Sequence, residues 1–111
     1  MVDPAILRVV QGYLGDLSRK GLPVRFAVLF GSRAAGRATE RSDIDLLVVS
    51  PEFDRDFARS LVDLLWRVAA RVDSRIEPLP CGETQWLEDD STPIIEAARR
   101  EGIKVDAPAA V

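Results

Sequence analysis

Two aspartates interrupt an otherwise apolar stretch near the middle of this chain, and they constrain the fold more than any other feature. The stretch runs from Ile44 to Val49 with Asp45 inside it, and Asp43 precedes it. A short apolar run predicts a buried strand, in which residues two apart point to the same face. Asp43 and Asp45 would then hold two like charges side by side, which is costly unless a cation lies between them. Hard divalent cations such as Mg²⁺ bind carboxylates in this way.

An isolated Asp-x-Asp also has an ordinary structural explanation. In that explanation Asp43 caps a turn, and Asp45 forms an ion pair with Arg33, Arg37 or Arg41. The two explanations differ in whether an arginine lies beside Asp45, and the Asp-x-Asp pattern alone leaves both open.

The segment before the aspartates is a second apolar run, residues 24–30, which ends at Gly31-Ser32. Its β-branched and aromatic content predicts a buried strand. A glycine directly after a strand lets backbone N–H groups approach an anion, and the Ser32 hydroxyl could donate to a phosphate. The spacing of Gly31 and Gly36 copies the start of a P-loop, but Arg37-Ala38 stands where lysine and serine or threonine are required. The chain then runs into a strand instead of a helix, so a P-loop is excluded.

The rest of the chain predicts helices and two short strands around this centre. We expect helices over residues 4–20, from Pro51-Glu52 to about Asp73-Ser74, around Trp86, and after Thr92-Pro93. We expect strands over residues 75–79 and 103–105, the former at an edge of the sheet because Pro78 cannot donate to a ladder. The prediction is therefore one α/β (α+β) domain over residues 1–111, with a small mixed β-sheet and helices packed on it.

Composition excludes several kinds of chemistry. The chain has no histidine and one cysteine, Cys81, so it lacks Ser-His-Asp and Cys-His pairs and cannot form an intramolecular disulfide. The net charge of -3 argues against a nucleic-acid-binding surface. No apolar run approaches the roughly 20 residues of a membrane span. A reducing cytoplasm fits the single cysteine, and we expect an inert thiol.

The complete motif joins Gly31-Ser32-Arg33-Ala34-Ala35-Gly36 to Ser42-Asp43-Ile44-Asp45-Leu46. It resembles the signature of the nucleotidyltransferase superfamily that includes DNA polymerase beta, with strand, Gly-Ser turn, loop and Asp-x-Asp strand in the same order. The short length and the ending Arg99-Arg100-Glu101-Gly102 look most like the minimal nucleotidyltransferases of bacteria and archaea. The resemblance covers nearly the whole chain and implies a nucleotidyltransferase fold.

The resemblance implies roles for individual residues. Asp43 and Asp45 match the pair that binds two Mg²⁺ ions, and Gly31-Ser32 matches the turn that holds the nucleotide's phosphates. A third carboxylate, which binds metal and assists the attacking hydroxyl, falls on Glu77. Many superfamily enzymes carry aspartate at this position, so Glu77 could instead be an exposed edge-strand acid, and Asp73 is a weaker candidate for the third carboxylate. The nucleotide-binding candidates are Gly31, Ser32, Arg33 and Ser42.

The activity that the resemblance implies is transfer of a nucleoside monophosphate, AMP from ATP, to a hydroxyl group. Larger members of the superfamily carry a second domain for the acceptor, for which this chain has no room. Minimal nucleotidyltransferases are often encoded beside a helical HEPN toxin of ribonuclease type, and they act on it as antitoxins. We therefore expect a protein-modifying antitoxin. The alternatives are a catalytically silent module that neutralises its partner by contact, and an antibiotic-type enzyme that modifies a small molecule. Whether the isolated chain is active or self-associates stays open.

Overall fold

A four-stranded mixed sheet forms the centre of the computed structural model, which describes residues 2–55 and 59–108. In chain order the strands are β1 (Phe26–Phe30), β2 (Ile44–Val49), β3 (Ile76–Cys81) and β4 (Ile103–Asp106). Their order in the sheet is β3-β2-β1-β4. Strand β1 is antiparallel to both of its neighbours, whereas β2 and β3 are parallel. The predicted fold class is confirmed, and β3 lies at an edge as predicted.

Helices cover both faces of this sheet. In chain order they are α1 (Pro4–Arg19), α2 (Ser32–Ala35), α3 (Arg59–Val72), α4 (Glu83–Glu88) and α5 (Pro93–Glu101). Helices α1 and α3 pack on one face, where Leu14 and Leu65 meet Leu29 and Leu46 in the larger core cluster. The opposite face carries a smaller cluster, to which α4 and α5 contribute Trp86, Ile95 and Ala98. None of the helices in the described residues is long and apolar enough to cross a membrane.

Helix α1 forms where the sequence predicts it. The Asp3 carboxylate accepts a hydrogen bond from the Ala5 backbone N–H at 2.9 Å, and Pro4 occupies the first turn, where its missing donor costs nothing. One stripe of the helix is buried: Ile6, Val10, Tyr13, Leu14 and Leu17. The Tyr13 hydroxyl donates to the carbonyl of Leu65 at 2.9 Å, which satisfies this buried polar group and joins α1 to α3.

The prediction of one continuous helix from Pro51 was wrong at its start. Pro51–Asp54 form a single 3₁₀ turn, Arg55 is extended, and α3 begins at Arg59. The helical pattern is interrupted because the Asp54 carboxylate accepts hydrogen bonds from the backbone N–H groups of Thr84 and Gln85 at 3.0 and 3.2 Å. These contacts hold Asp54 at the start of α4. Phe57, which the prediction placed on the buried helix face, lies outside the described residues.

The segment after β1 contains a helical turn, α2, that was predicted only as loop. The Gly31 carbonyl accepts from the N–H groups of Ala34 and Ala35 at 3.2 and 3.1 Å, which closes the turn. Gly36 ends it in the left-handed region, at φ +75°. Strand β1 is shorter than predicted, since it begins at Phe26 instead of residue 24.

Candidate active site

Asp45 and Glu77 are direct neighbours in the sheet. In the register of the strands, Asp45 of β2 lies opposite Phe30 of β1 and opposite Glu77 of β3. Residues that pair across strands project from the same face, so these three side chains form one row. The two adjacent rows on this face are apolar and pack against α4 and α5: Val28, Leu47 and Leu79, then Phe26, Val49 and Cys81. The row of Phe30, Asp45 and Glu77 therefore lies at the edge of the face that α4 and α5 cover. Because it carries two carboxylates, we call it the acidic row.

Asp43 joins these two acids to form a cluster of three carboxylates. Desolvation raises the pKa of Glu77, and the charges of Asp43 and Asp45 raise it further. Glu77 is also within hydrogen-bonding reach of both aspartates. Burial raises the pKa of Asp45 and the charge of Asp43 adds to this, while a hydrogen bond from Glu77 acts in the opposite direction. Like charges that share a site without a cation raise each other's proton affinity, and the raised pKa values of Asp45 and Glu77 agree with this.

The ordinary explanation of Asp-x-Asp does not hold in the described residues 2–55 and 59–108. Neither Asp43 nor Asp45 forms an ion pair there. A terminal nitrogen of Arg33 donates instead to the carbonyls of Ser42 at 2.8 Å and Glu40 at 3.4 Å. The charge on Asp45 is therefore left without a basic partner in this part of the chain.

Gly31 packs directly against the Asp45 carboxylate. A Cβ atom built on Gly31 would lie 2.5 Å from Oδ2 of Asp45, which is closer than real side chains approach. Gly31 also has φ +71° and ψ -151°, a backbone conformation found almost only at glycine. Glycine is thus required here for two reasons, and the Gly-Ser turn is placed in contact with the acidic row.

The predicted nucleotide-binding residues differ in how free their side chains are. The Ser32 hydroxyl makes no hydrogen bond within the described part of the chain, so it is available to a ligand. The Ser42 hydroxyl already accepts from the Thr39 backbone N–H at 2.9 Å. Arg33 is engaged with the loop carbonyls, and its buried Nε has no hydrogen-bond partner among the described residues. Contact with nucleotide stays a prediction for all four positions, including Gly31.

The donor set of the cluster suits a hard divalent cation that also binds substrate. Among the described residues, no group of three or more acidic or cysteine side chains is arranged so that it could hold a metal ion. Mg²⁺ does not need such a cage, because it usually takes one or two carboxylates and completes its shell with water and substrate phosphates. Asp43 and Asp45 supply that number of carboxylates, and a metal between them would relieve the repulsion between their charges.

A cavity of about 520 Å³ lies away from the carboxylates, between the start of α1 and the loop after α2. Its walls include Ile6, Arg33 and Arg75, and none of the three acids lines it. Asp43 and Glu77 are exposed instead, so the acidic row lies open on the surface. The candidate site is therefore the surface where Asp45 and Glu77 lie beside the Gly-Ser turn, and not this cavity.

Cys81 takes no part in this chemistry. Its side chain is fully buried, and burial raises the pKa of the thiol to about 11. A neutral buried thiol is a poor nucleophile, which agrees with the expected inert role.

Comparison with known proteins assigns the family. The family model described as "Nucleotidyltransferase domain" matches residues 10–105, which is most of the chain. The chain therefore belongs to the nucleotidyltransferase domain family. Enzymes of this family generally use divalent metal ions. No curated protein matches the sequence significantly.

Solved structures share this fold at low sequence identity. A presumed nucleotidyltransferase from Sulfolobus solfataricus is 16% identical, with a TM-score of 0.61 over 90% of this chain and 78% of that one. A toxin–antitoxin complex with AMP-PNP is 21% identical, with a TM-score of 0.60 over 88% of this chain and 73% of that one. A mutant of the toxin–antitoxin pair MntA–HpeT, with two aspartates one residue apart replaced by glutamate, is 18% identical. Its TM-score is 0.57, over 88% of this chain and 73% of that chain.

Proposed function

We propose that this protein is a Mg²⁺-dependent antitoxin that transfers AMP from ATP to a hydroxyl group of a helical HEPN-type partner. The observation that carries the enzymatic part is the acidic row beside the Gly-Ser turn. Asp45 and Glu77 are paired across β2 and β3, Glu77 is within reach of Asp43, and Gly31 touches Asp45. The antitoxin part is supported by two structures of similar fold that are toxin–antitoxin complexes, one of them with AMP-PNP.

Different residues of the chain would bind the metal, bind the phosphates and accept the proton. Asp43 and Asp45 would hold the divalent cation, which neutralises phosphate charge and stabilises the attacking and leaving oxygens. The Gly31 backbone and the Ser32 hydroxyl would bind the phosphates. The acceptor oxygen attacks the α-phosphorus, the bond to the β-phosphate oxygen breaks, and pyrophosphate leaves. Glu77 would accept the proton of the acceptor hydroxyl, because it carries a carboxylate directly beside Asp45.

The exposure of the site supports a protein acceptor. The carboxylates lie on an open surface and outside the cavity beside α1, so this part of the chain does not enclose a second substrate. A partner that covers the acidic row would bring the acceptor hydroxyl and exclude water at once.

A labelling experiment tests this proposal. The protein is incubated with ATP labelled at the α-phosphate, Mg²⁺ and a candidate HEPN-type partner protein, with an Asp43→Ala/Asp45→Ala double variant as the control. We expect label on the partner with wild type and none with the double variant. If no protein is labelled and both forms protect equally against the partner's toxicity, transfer is not the function and a contact antitoxin remains. Label on an aminoglycoside instead would identify a small-molecule enzyme.

Glu77 can be tested separately from the metal pair. We expect Glu77→Gln to lower the transfer rate about a hundredfold or more, because a proton acceptor at the attacking oxygen usually contributes that much. Glu77→Asp should retain more activity, since it keeps a carboxylate. Rates would be measured at saturating ATP, with the exposed Glu88→Gln of α4 as the matched control. Wild-type rates in Glu77→Gln would show that Glu77 is only an edge-strand acid.

A further inference from the structure

Two arginines from different elements converge on the loop of residues 36–43, which leads into β2 and ends at Asp43. Arg33 of α2 donates to the carbonyl of Ser42 at 2.8 Å and to that of Glu40 at 3.4 Å. Arg75, just before β3, donates through Nη1 to the same Glu40 carbonyl at 2.9 Å. The loop is thus tied to the turn on one side and to the neighbouring strand on the other.

Arg75 is itself held rigidly by Asp73. The two side chains form a fork, with Nε of Arg75 3.0 Å from Oδ1 of Asp73 and Nη2 2.6 Å from Oδ2. Oδ1 also accepts the Arg75 backbone N–H at 2.9 Å. Hydrogen bonding from Arg75 lowers the pKa of Asp73, so this carboxylate stays ionised at neutral pH. Such bidentate pairs fix the orientation of the guanidinium, and Nη1 is left to point at the loop.

Asp43 depends on this loop for its position. Its side chain is exposed and has no ion pair among the described residues, and its charge is repelled by Asp45. On each side of it the backbone is anchored: Arg33 binds the Ser42 carbonyl, and the Ile44 N–H donates to the Arg75 carbonyl at 2.8 Å. Without these anchors the repulsion would move Asp43 away from the acidic row.

We infer that Asp73, Arg75 and Arg33 are positioning residues, which hold the loop of residues 36–43 so that Asp43 stands beside Asp45 and Glu77 before metal and nucleotide bind. This inference rests on the proposed function. No hydrogen bond or ion pair within the described residues joins the three positioning residues to the acidic cluster, so they act through the backbone of the loop. They lower the Mg²⁺ concentration that the site needs, because the loop is ordered in advance.

Arg75→Gln tests the inference, with Arg100→Gln as the matched control. Arg100 is an exposed arginine of α5 whose nearest acids lie at 3.7 and 3.9 Å. In the metal-free protein we expect the amides of Thr39 and Ser42 to exchange about tenfold faster in Arg75→Gln, since charge-assisted hydrogen bonds are lost. The Mg²⁺ concentration for half-maximal ATP binding should rise about tenfold as well. Arg75→Lys, which keeps the charge without the fork, should restore part of both effects.

Three results would overturn the inference. If Arg75→Gln has the same amide exchange rates in the loop and the same Mg²⁺ requirement as Arg100→Gln, the loop is held by other contacts. Faster exchange with an unchanged Mg²⁺ requirement would show that the loop does not position the metal site. If Arg75→Gln fails to fold, Arg75→Lys and Asp73→Asn are measured in the same way, and wild-type values in both would reject the role. Failure of the proposed function is distinguished by the wild-type protein, which would then bind no ATP with Mg²⁺ or would bind it without labelling the partner, whereas the comparison of Arg75→Gln with wild type measures only loop exchange and Mg²⁺ requirement.

Discussion

Asp45→Asn is expected to lower nucleotidyl transfer about a thousandfold, because a metal ligand stabilises transition-state charge by several kcal/mol. Asparagine keeps the size and hydrogen-bonding shape of the side chain, so the fold should be intact. Mg²⁺-dependent ATP binding, measured by calorimetry, should weaken in parallel. The exposed Asp63→Asn of α3 removes the same charge elsewhere and should change neither quantity. Unchanged ATP binding in Asp45→Asn would refute the paired-carboxylate site.

The same substitution should stabilise the metal-free protein. Burial and the charge of Asp43 raise the pKa of Asp45 in the folded state. Between the unfolded pKa of about 4 and this raised value, the folded state binds more protons, so wild type loses stability as pH rises through that window. The asparagine side chain of Asp45→Asn does not titrate in this pH range, so the variant does not lose stability in this way. Thermal unfolding is measured with a chelator at pH 3 and pH 7. The melting temperature of the variant relative to that of wild type should be higher at pH 7 than at pH 3. If the melting temperature of the variant relative to wild type is lower at pH 7 than at pH 3, the proposed repulsion between the carboxylates is contradicted.

Gly31→Ala is expected to be the most destabilising small substitution near the site. Its Cβ would lie 2.5 Å from Oδ2 of Asp45, and its backbone conformation at φ +71° and ψ -151° is strained for any other residue. The two effects together should cost about 2–4 kcal/mol and lower the melting temperature by about 10 °C or more. Relief of the clash would displace the Asp45 carboxylate, so transfer activity should fall even at temperatures where the variant is folded.

Two glycine controls separate the causes. Gly36→Ala meets the same kind of positive φ, at +75°, but with nothing within 4 Å of the added Cβ, so it should cost only about 1 kcal/mol. Gly12→Ala lies on the exposed face of α1 in open space and should stabilise by about 0.5–1 kcal/mol. If Gly31→Ala cost no more than Gly36→Ala and kept full activity, close packing on Asp45 would not matter.

Local chemistry was enough to predict most of the elements. Asp3-Pro4 and the apolar stripe that follows specify α1, and the apolar runs around Gly31 specify β1 and β2. The predictions of secondary structure were wrong where contacts between residues distant in sequence determine the local structure. The helix predicted from Pro51 breaks because Asp54 caps α4 some 30 residues later in the chain. The turn α2 was missed because a four-residue helix has too few positions to show periodicity.

The three acidic residues were also singled out from the sequence, but their arrangement was not. An acid inside an apolar strand is anomalous whatever surrounds it, so Asp45 is conspicuous in the sequence alone. Nothing local to Ile76-Glu77-Pro78 distinguishes Glu77 from an ordinary edge acid. Only the parallel register of β2 and β3 sets Glu77 opposite Asp45. Asp73 was a weaker candidate for the third carboxylate, but nothing in the sequence indicated that it holds Arg75, whose role depends on a carbonyl 35 residues away.

The sequence by itself determined that Asp45 lies in a strand after a Gly-Ser turn, with Asp43 directly before that strand, because strand periodicity is a property of neighbouring residues. It also excluded histidine-based catalysis and a P-loop, since both need residues that are missing. The tertiary structure alone decided that no arginine of the described chain neutralises Asp45, that Glu77 completes the acidic row, and that Gly31 must be glycine. These facts depend on sheet register and side-chain packing, which join residues far apart in the chain.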